Sequence, residues 1–342
     1  MAPAPQDAPV ILRRVTSYDV ARHAGVSQSA VSRCFTPGAS IAPAVRERIV
    51  KIASELGYRP NALAQGLGSR RTNLVAMLVS SVTNLYYSEA LAAISQGLLA
   101  RDMRVLLFSL QEEGGVAEVL DQIWRHSVDG IISTARLTDE QIQMFADRGI
   151  PLVLYNRSSQ LVRVSTVACD AAAGETELVQ RLLGAGHRRF GMIAGTDRSY
   201  SGEEGSRAAL RHLADAGHLD IPVVRGDWSH DSGVSALHEL MALQSGYDAI
   251  ICANDLMAVG AIDAARDDFG LHVPDDLSIV GFDGAAPATW SSYRVTTIRQ
   301  PVHAMAEAAV TMLLERVENP LLAPERRLLT GEFVRGASAK IA

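Results

Sequence analysis

Cysteine is scarce in this chain, and its three cysteines have no disulfide or metal-binding spacing. Cys34, Cys169 and Cys252 lie far apart, and none belongs to a Cys-x-x-Cys pair, so neither a disulfide framework nor a zinc site is expected. No apolar run reaches the ~18 residues of a membrane-spanning helix. The opening Met-Ala-Pro-Ala-Pro-Gln-Asp-Ala-Pro has neither the basic nor the apolar region of a secretory signal. We therefore expect a cytoplasmic protein without metal or cofactor.

Motifs of the common enzyme classes are also missing. The sequence has no Gly-x-Ser-x-Gly, no Walker-type phosphate loop and no His-Glu-x-x-His. The run Trp228–Ser232 contains the three residue types of a hydrolytic triad. Adjacent residues on one loop cannot take the ordered geometry in which a base and its orienting acid must stand, so we predict that the protein is not an enzyme.

Charge is divided unevenly along the chain. Residues 1–71 hold ten Arg and Lys against four Asp and Glu, a net charge of +6, while the whole chain carries −6, so the remainder carries −12. A basic head on an acidic body is typical of a chain whose head meets phosphates. The alternative interpretation is a chance excess of arginine on a solvated face.

The basic head has the pattern of three short helices. Thr16-Ser-Tyr-Asp is a capping box that starts the first helix, and Gly25 ends it. Ser27 caps a second helix over 28–35. A third begins at Pro43 and closes a small core over the other two.

From about residue 73, short apolar runs alternate with amphipathic stretches, which predicts βαβ units around buried parallel sheets. Strands are predicted at Leu74–Val79, Arg104–Phe108, Gly130–Ser133, Leu152–Tyr155, Phe190–Ala194, Ala249–Cys252 and Ser278–Phe282. Helices are predicted at Tyr87–Ala100, Ala171–Ala185, Glu204–Ala216, Ser232–Leu243, Asp255–Phe269 and Val302–Val317. Two tandem α/β halves indicate a bilobed domain with a ligand cleft at the carboxyl ends of its strands.

The head from Val15 to Arg33, together with Leu-Gly-Tyr-Arg-Pro-Asn at 56–61, resembles the lactose-repressor (LacI/GalR) family of bacterial regulators, and the likeness continues along nearly the whole chain. The resemblance implies an all-α helix-turn-helix head plus hinge, followed by an α/β bilobed domain of the periplasmic-binding-protein type I class with two parallel sheets. The implied divisions are a disordered tail at 1–13, a DNA-binding domain at 14–60, a hinge at 61–72 and an effector-binding and dimerisation domain at 73–338. Lobe 1 is expected at about 73–157 plus 287–318, and lobe 2 at about 160–284 plus 320–338.

A helix of this kind fits the major groove, where Gln pairs with adenine and Arg with guanine, so Gln28 and Arg33 are the predicted base readers. The resemblance makes the segment 61–67 a hinge that becomes helical on DNA, with Leu67 inserted into the minor groove. The other predicted DNA contacts are Thr16, Ser17, Tyr18, Ser27, Ser29 and Ser32 in the head, with Asn61 and Ala64 in the hinge. The alternatives are solvated surface residues and a plain flexible linker.

The resemblance also assigns effector contacts to loops that follow strands. They are Tyr86, Tyr87, Asn156, Arg157, Asp170, Arg198, Trp228, Asn254, Asp255 and Asp283. Asp283 is the strongest of these predictions. An arginine that the family carries falls at Gly202 here, and Arg198 or Arg207 would have to replace it. The alternative for these loop residues is helix capping and domain packing.

These features predict a sequence-specific transcriptional regulator, a repressor in the first place, whose operator affinity is controlled by a small polar metabolite. The resemblance implies a homodimer on palindromic operator DNA, nucleoid-associated when bound, without membrane contact. A sugar, sugar acid or phosphorylated sugar is the expected effector, while a purine or another metabolite stays open. Whether the effector releases or strengthens DNA binding also stays open. The alternative function is a solute-binding protein without sequence-specific DNA binding.

Overall fold

The chain divides into two compact units, Met1–Thr72 and Asn73–Ala342. The computed structural model describes residues 15–36, 38–59, 71–79, 85–110, 116–157, 164–196 and 200–342. The predicted tail at 1–13 and nearly all of the predicted hinge at 61–72 lie outside those residues. Among the described helices, none is long and apolar enough to cross a membrane.

The first unit contains three helices: α1 (Ser17–Ala24), α2 (Gln28–Phe35) and α3 (Pro43–Glu55). The predicted capping box is confirmed, because the Thr16 hydroxyl and backbone N–H donate to the Asp19 carboxylate at 2.7 and 2.9 Å. Gly25 ends α1 in the left-handed conformation, with φ of 63°, where a side chain would be strained.

The core of this unit is small and fixes the direction of α2. Val20, Val31 and Ile49, one from each helix, are each at most 1% exposed, and burying such a side chain contributes about 2 kcal/mol. Arg46 on α3 donates to the backbone oxygen of Cys34 at 2.6 Å. Because α3 holds the buried side of α2, the opposite side of α2 faces outward.

The second unit is an α/β domain built from the following elements. The strands are β1 (Leu74–Val79), β2 (Arg104–Ser109), β3 (Gly130–Ser133), β4 (Leu152–Tyr155), β5 (Ser165–Cys169), β6 (Phe190–Ala194), β7 (Val223–Arg225), β8 (Ala249–Cys252), β9 (Ser278–Asp283), β10 (Thr296–Arg299), β11 (Arg326–Leu329) and β12 (Glu332–Val334). The helices are α4 (Leu85–Leu99), α5 (Val116–His126), α6 (Asp139–Asp147), α7 (Ala171–Gly184), α8 (Tyr200–Asp215), α9 (His230–Leu243), α10 (Asp255–Asp263), α11 (Ala286–Thr289) and α12 (Val302–Glu318).

The described strands form two sheets with the same internal order. The first is β11-β5-β4-β3-β1-β2 and the second is β12-β10-β9-β8-β6-β7. Every described strand pair is parallel except β10 with β12, which is antiparallel. In each lobe the strand order reverses direction between the first and third strands, and this is where ligand crevices open in such sheets.

Burial on both faces explains the continuous apolar strands. All six residues of β1 are buried. Val75, Met77 and Val79 belong to the core under α4 and α12, while the alternate residues pack into a second core on the other face. A strand covered on both sides has no polar face, and this accounts for the runs of Val, Ile, Leu and Met in the sequence.

The expected lobe boundaries were wrong in three places. Strand β5 pairs with β4 in the first sheet, Val153 opposite Ser165, so the chain first crosses at Asp170 rather than near residue 157. Strand β10 lies in the second sheet, and β11 lies in the first. Hydrophobic periodicity finds a strand but not its partner, since partners are set by contacts distant in sequence.

Within the described part of the chain, three segments therefore cross between the lobes side by side. They are Asp170, the step from Gln300 to Pro301, and the step from Thr330 to Gly331. The Asp170 N–H donates to the backbone oxygen of Leu329 at 2.8 Å. The predicted helix over Asp255–Phe269 is not α-helical throughout, because α10 ends at Asp263 and 264–268 continues it as a π-helix.

Candidate DNA interface and effector cleft

The outer side of α2 carries exposed polar groups. Ser29, Ser32 and Arg33 are exposed, and Gln28 is half-buried. The Gln28 amide donates to Ser17 Oγ at 3.4 Å and Arg33 Nε donates to the backbone oxygen of Ser29 at 3.4 Å, both long bonds that an incoming base edge can replace. The helix thus presents the residue types that read major-groove edges.

Candidate phosphate contacts flank this helix. Tyr18 is 67% exposed, and the Ser27 and Ser29 hydroxyls lie 2.9 Å apart. Ser27 also caps α2 by accepting from the Ala30 N–H at 3.3 Å. The Thr16 hydroxyl is engaged by Asp19 within the capping box. Helix N-termini and exposed hydroxyls are typical phosphate contacts. The hinge predictions Asn61, Ala64 and Leu67, and the cleft prediction Arg198, lie outside the described residues.

In the second unit, the first lobe contributes a buried cluster around Tyr87. Arg157 Nη1 donates to Tyr87 Oη at 2.7 Å, and its guanidinium lies 5.4 Å from the centre of the Tyr87 ring. Tyr86 packs edge-on against Tyr87 with ring centroids 5.1 Å apart. Burial raises the pKa of both phenols. Asn156 is buried beside them with φ of 52°, and its Oδ1 has no hydrogen-bond partner.

Asp283 contributes the main acid of the second lobe. It ends β9 with φ of 120°, an uncommon conformation for a residue with a side chain. Its Oδ1 accepts from Gln300 Nε2 at 2.6 Å. Burial, followed by the charge of Asp255, raises the Asp283 pKa well above its ordinary value. The charge on Asp283 also acts on Tyr86 and Tyr87, which places the predicted contacts from both lobes in one region.

Asp255 lies deeper and braces this region. Its Oδ1 accepts from Thr297 Oγ1 at 2.7 Å and its Oδ2 accepts from the Ala285 N–H at 2.8 Å. Burial raises the pKa of Asp255 to about 7, although these two hydrogen bonds act in the opposite direction and lower it. Because both oxygens are used inside the protein, Asp255 holds the loop after β9 in place.

Asn254, Trp228 and Asp170 hold the neighbouring loops. Asn254 caps α10 by accepting from the Met257 N–H at 3.0 Å and donates to the backbone oxygen of Trp228 at 3.1 Å. Trp228 has φ of 74°, and its indole N–H donates to Thr196 Oγ1 at 3.3 Å. Asp170 caps α7 by accepting from the Ala173 N–H at 3.0 Å. Asn254 and Asp170 therefore combine helix capping with a position at a strand end, while Trp228 lies in the loop after β7 without capping a helix.

The sequence-based interpretation missed Gln300 and Glu175. Gln300 lies at a crossing between lobes, which only the sheet assignment reveals. Glu175 is 3% exposed on α7, burial raises its pKa to about 8, and its Oε2 has no partner. A signal for it exists, since an acid stands on the apolar face that otherwise carries Ala171, Gly174 and Leu178.

In the described part of the second unit, three buried side-chain oxygens have no hydrogen-bond partner: Asn156 Oδ1, Glu175 Oε2 and Gln300 Oε1. A buried acceptor without a donor costs free energy, so such atoms mark a place where a ligand or water completes the bonding. Among the described residues no group of three metal-binding side chains occurs.

Comparison with known proteins agrees with both units. Residues 16–61 match the family described as bacterial regulatory proteins, lacI family, and residues 179–339 match the periplasmic binding protein-like domain. The catabolite control protein A of Priestia megaterium is 30% identical over 87% of this chain and 91% of its own length.

Solved structures match over nearly the full length. A lac repressor dimer bound to operator and the anti-inducer ONPF has a TM-score of 0.85 and 26% identity, covering 95% of this chain and 99% of its own. A complex of the transcriptional regulator CelR with cellobiose has a TM-score of 0.73 and 29% identity, covering 95% and 100%. This chain belongs to the lacI family of bacterial regulatory proteins and is a sequence-specific DNA-binding transcriptional regulator.

Proposed function

We propose that this regulator acts as a homodimer on a palindromic operator and that a sugar-like metabolite in the cleft of residues 73–338 changes its operator affinity. Residues 14–60 would read the operator, and 61–72 would form the hinge. A two-fold protein places two copies of α2 on two half-sites, which matches a palindrome.

The observation that carries the effector assignment is the group of buried acceptors without hydrogen-bond partners at the strand ends and at the crossings between the lobes. Asn156 Oδ1 and Gln300 Oε1 have no partner and can accept from the hydroxyl groups of a sugar, while the C–H face of a sugar ring packs on an aromatic side chain such as Trp228. The CelR structure, which is described as a cellobiose complex, supports a saccharide of this kind.

The test begins with operator selection from random duplexes by the purified full-length protein. Fluorescence anisotropy on the selected site then measures affinity against salt and against a panel of saccharides and central metabolites. We expect a palindrome, a steep loss of affinity with salt, and one saccharide that shifts affinity by about 5–150-fold, the usual range of allosteric coupling.

A matched pair of variants makes the test specific. Arg33→Ala and Lys51→Ala each remove one positive charge, from α2 and from the exposed side of α3 respectively. Only Arg33→Ala should reduce the preference for the selected site over a scrambled one. Enrichment of no sequence, or equal effects of both variants on that preference, would contradict the proposal.

A further inference from the structure

Arg46 is a charged residue on the buried side of α3. It is half-buried and shares that side with Ile49 and Ala53, which stand three and seven residues later and are both buried. An apolar side chain at this position would extend the small core of the first unit without the cost of drawing a cation out of water. Packing alone therefore does not explain an arginine here.

The Arg46 guanidinium lies against the end of α2. Its Nη1 donates to the backbone oxygen of Cys34 at 2.6 Å, and its Nη2 donates to the backbone oxygen of Ala39 at 3.1 Å. In return, the Cys34 thiol donates to the backbone oxygen of Arg46 at 3.8 Å. One side chain of α3 thus joins the last turn of α2 to the segment that follows it.

The final backbone oxygens of α2 need donors from outside the helix, because no following turn supplies them. The Thr36 N–H donates to the Arg33 oxygen at 3.2 Å, and the Thr36 hydroxyl donates to the Ser32 oxygen at 2.9 Å. The Cys34 oxygen accepts from Arg46, whose positive charge is favourable at the negative end of the helix dipole. The end of α2 is therefore held by α3 as well as by its own chain.

The turn that Arg46 holds also carries Arg33. Arg33 directly precedes Cys34 and is exposed on the outer side of α2, whereas Cys34 is buried. A long side chain amplifies a small tilt of the helix end, and a designed contact of this kind tolerates displacements of only about 0.5 Å. A shift in the last turn of α2 should therefore move the Arg33 guanidinium away from its base.

The start of α2 is held by different contacts. Ser27 caps the first turn, and the Gln28 amide donates to Ser17 Oγ of α1 at 3.4 Å. These contacts are made within α2 and with α1, not with α3. Loss of the Arg46 bonds should therefore displace the end of the helix, where Arg33 lies, more than its start.

We infer that Arg46 is a positioning residue for operator recognition, because it holds the last turn of α2 to α3 and so fixes the direction in which Arg33 meets its base. This inference rests on the proposed function, since it takes α2 to be the reading helix and Arg33 to contact a base. In this role Arg46 determines the preference for one sequence without contacting DNA itself.

The first experiment measures the preference of full-length variants for the selected operator over a scrambled duplex. Arg46→Met keeps an unbranched chain without donors, and Arg46→Lys keeps the charge but has one ammonium for two oxygens. We expect Arg46→Met to lose about tenfold in preference, with affinity for the scrambled duplex within about twofold of the native value. Arg46→Lys should retain more preference. The matched control Arg48→Met removes an exposed cation of α3 and should leave the preference unchanged.

The second experiment locates the loss along the operator. Because Arg46 acts through Arg33, Arg46→Met should relax the preference mainly at the base pair that Arg33→Ala relaxes. In an Arg33→Ala background, Arg46→Met should cost less than in the native chain. The salt dependence of binding to the scrambled duplex should stay at the native value, because a guanidinium directed at backbone oxygens contacts no phosphate.

The inference would be overturned by an unchanged preference in Arg46→Met, whether or not overall binding falls, since a merely structural residue would weaken both duplexes alike. A salt slope reduced by about one would also overturn it, because Arg46 would then contact a phosphate. Should Arg46→Met not fold, Arg46→Lys decides. Its full preference would overturn the inference, and a loss at the Arg33 base pair would support it.

Failure of the proposed function gives a different result. In that case no operator is selected, or Arg33→Ala keeps the native preference. A normal loss in Arg33→Ala together with full preference in Arg46→Met would remove the inference alone.

Discussion

Gln300 holds Asp283 by two hydrogen bonds, one from its side-chain amide to Oδ1 at 2.6 Å and one from its backbone N–H to the Asp283 carbonyl at 3.0 Å. Asp283 ends β9, and Gln300 follows the neighbouring strand β10 just before the chain enters α12 of the first lobe. A ligand that bonds Asp283 therefore acts on a residue that is tied to a crossing between the lobes.

Replacing Gln300 with leucine should lower the free energy of unfolding by about 1–3 kcal/mol. Leucine keeps most of the volume but removes the donor, so the buried Asp283 carboxyl loses its side-chain partner. Urea denaturation of the full-length protein, with saccharide absent, measures the change.

The control is the same substitution in an Asp283→Ala background. There the acid is already absent, so Gln300→Leu should cost less than it does in the native chain, and the two changes should not add. Equal costs in the two backgrounds would mean that the hydrogen bond does not stabilise the fold.

Most elements of the second unit could be predicted from sequence, because a strand buried on both faces is a continuous apolar run. Strands β1, β3, β4, β6 and β8 have the predicted bounds. Of the four edge strands in the described sheets only β2 was predicted, and the interior strands β5 and β10 were missed as well. Strand β11, Arg326–Leu329, is only half covered, and β7, Val223–Arg225, has three residues, too short for a periodic signal.

Some residues of the candidate site could likewise be predicted from the local sequence pattern, and others could not. Asp283 and Trp228 stand directly after strands, where a pattern along the chain predicts a loop at the carboxyl edge. Gln300 and Glu175 owe their positions to contacts distant in sequence. Gln300 is defined by the pairing of β9 with β10, and Glu175 by the close approach of α8 at Gly205.

The side chains of α1 and α2 should divide into base readers and phosphate contacts. Gln28→Ala and Arg33→Ala should each cost about 1–3 kcal/mol on the selected operator and relax the preference at one base pair. Tyr18→Phe should weaken binding to all duplexes alike, because phosphates carry no sequence. Anisotropy on operator variants measures both effects. A uniform loss for Arg33→Ala would mean that it contacts phosphate rather than a base.

Glu175 should make the native protein less stable as pH rises. Its pKa is about 8 in the folded protein against an ordinary value of 4.5. Between these values the folded chain holds a proton that the unfolded chain has released, so unfolding becomes easier with increasing pH.

Glu175→Gln removes the titration of Glu175. Asp283 and Cys252, whose pKa values are also raised by burial, are present in both proteins. Relative to the native protein, the variant should gain roughly 3 kcal/mol in free energy of unfolding between pH 5 and pH 8. Urea denaturation at the two pH values tests this difference. Parallel pH profiles would mean that the Glu175 carboxyl ionises normally in the folded state.

Trp228 should report and support saccharide binding through its contact with Gly195. The indole lies over Gly195, where an added Cβ would overlap its six-membered ring, so Gly195→Ala displaces the ring without removing it. We expect Gly195→Ala and Trp228→Ala each to weaken saccharide binding by about tenfold, and the double variant to be no weaker than either one.

Trp290→Phe, at an exposed indole, is the matched control and should bind normally. Ligand-dependent tryptophan fluorescence should disappear in Trp228→Phe alone; its persistence there, or normal affinity in Gly195→Ala, would place the ligand away from this indole.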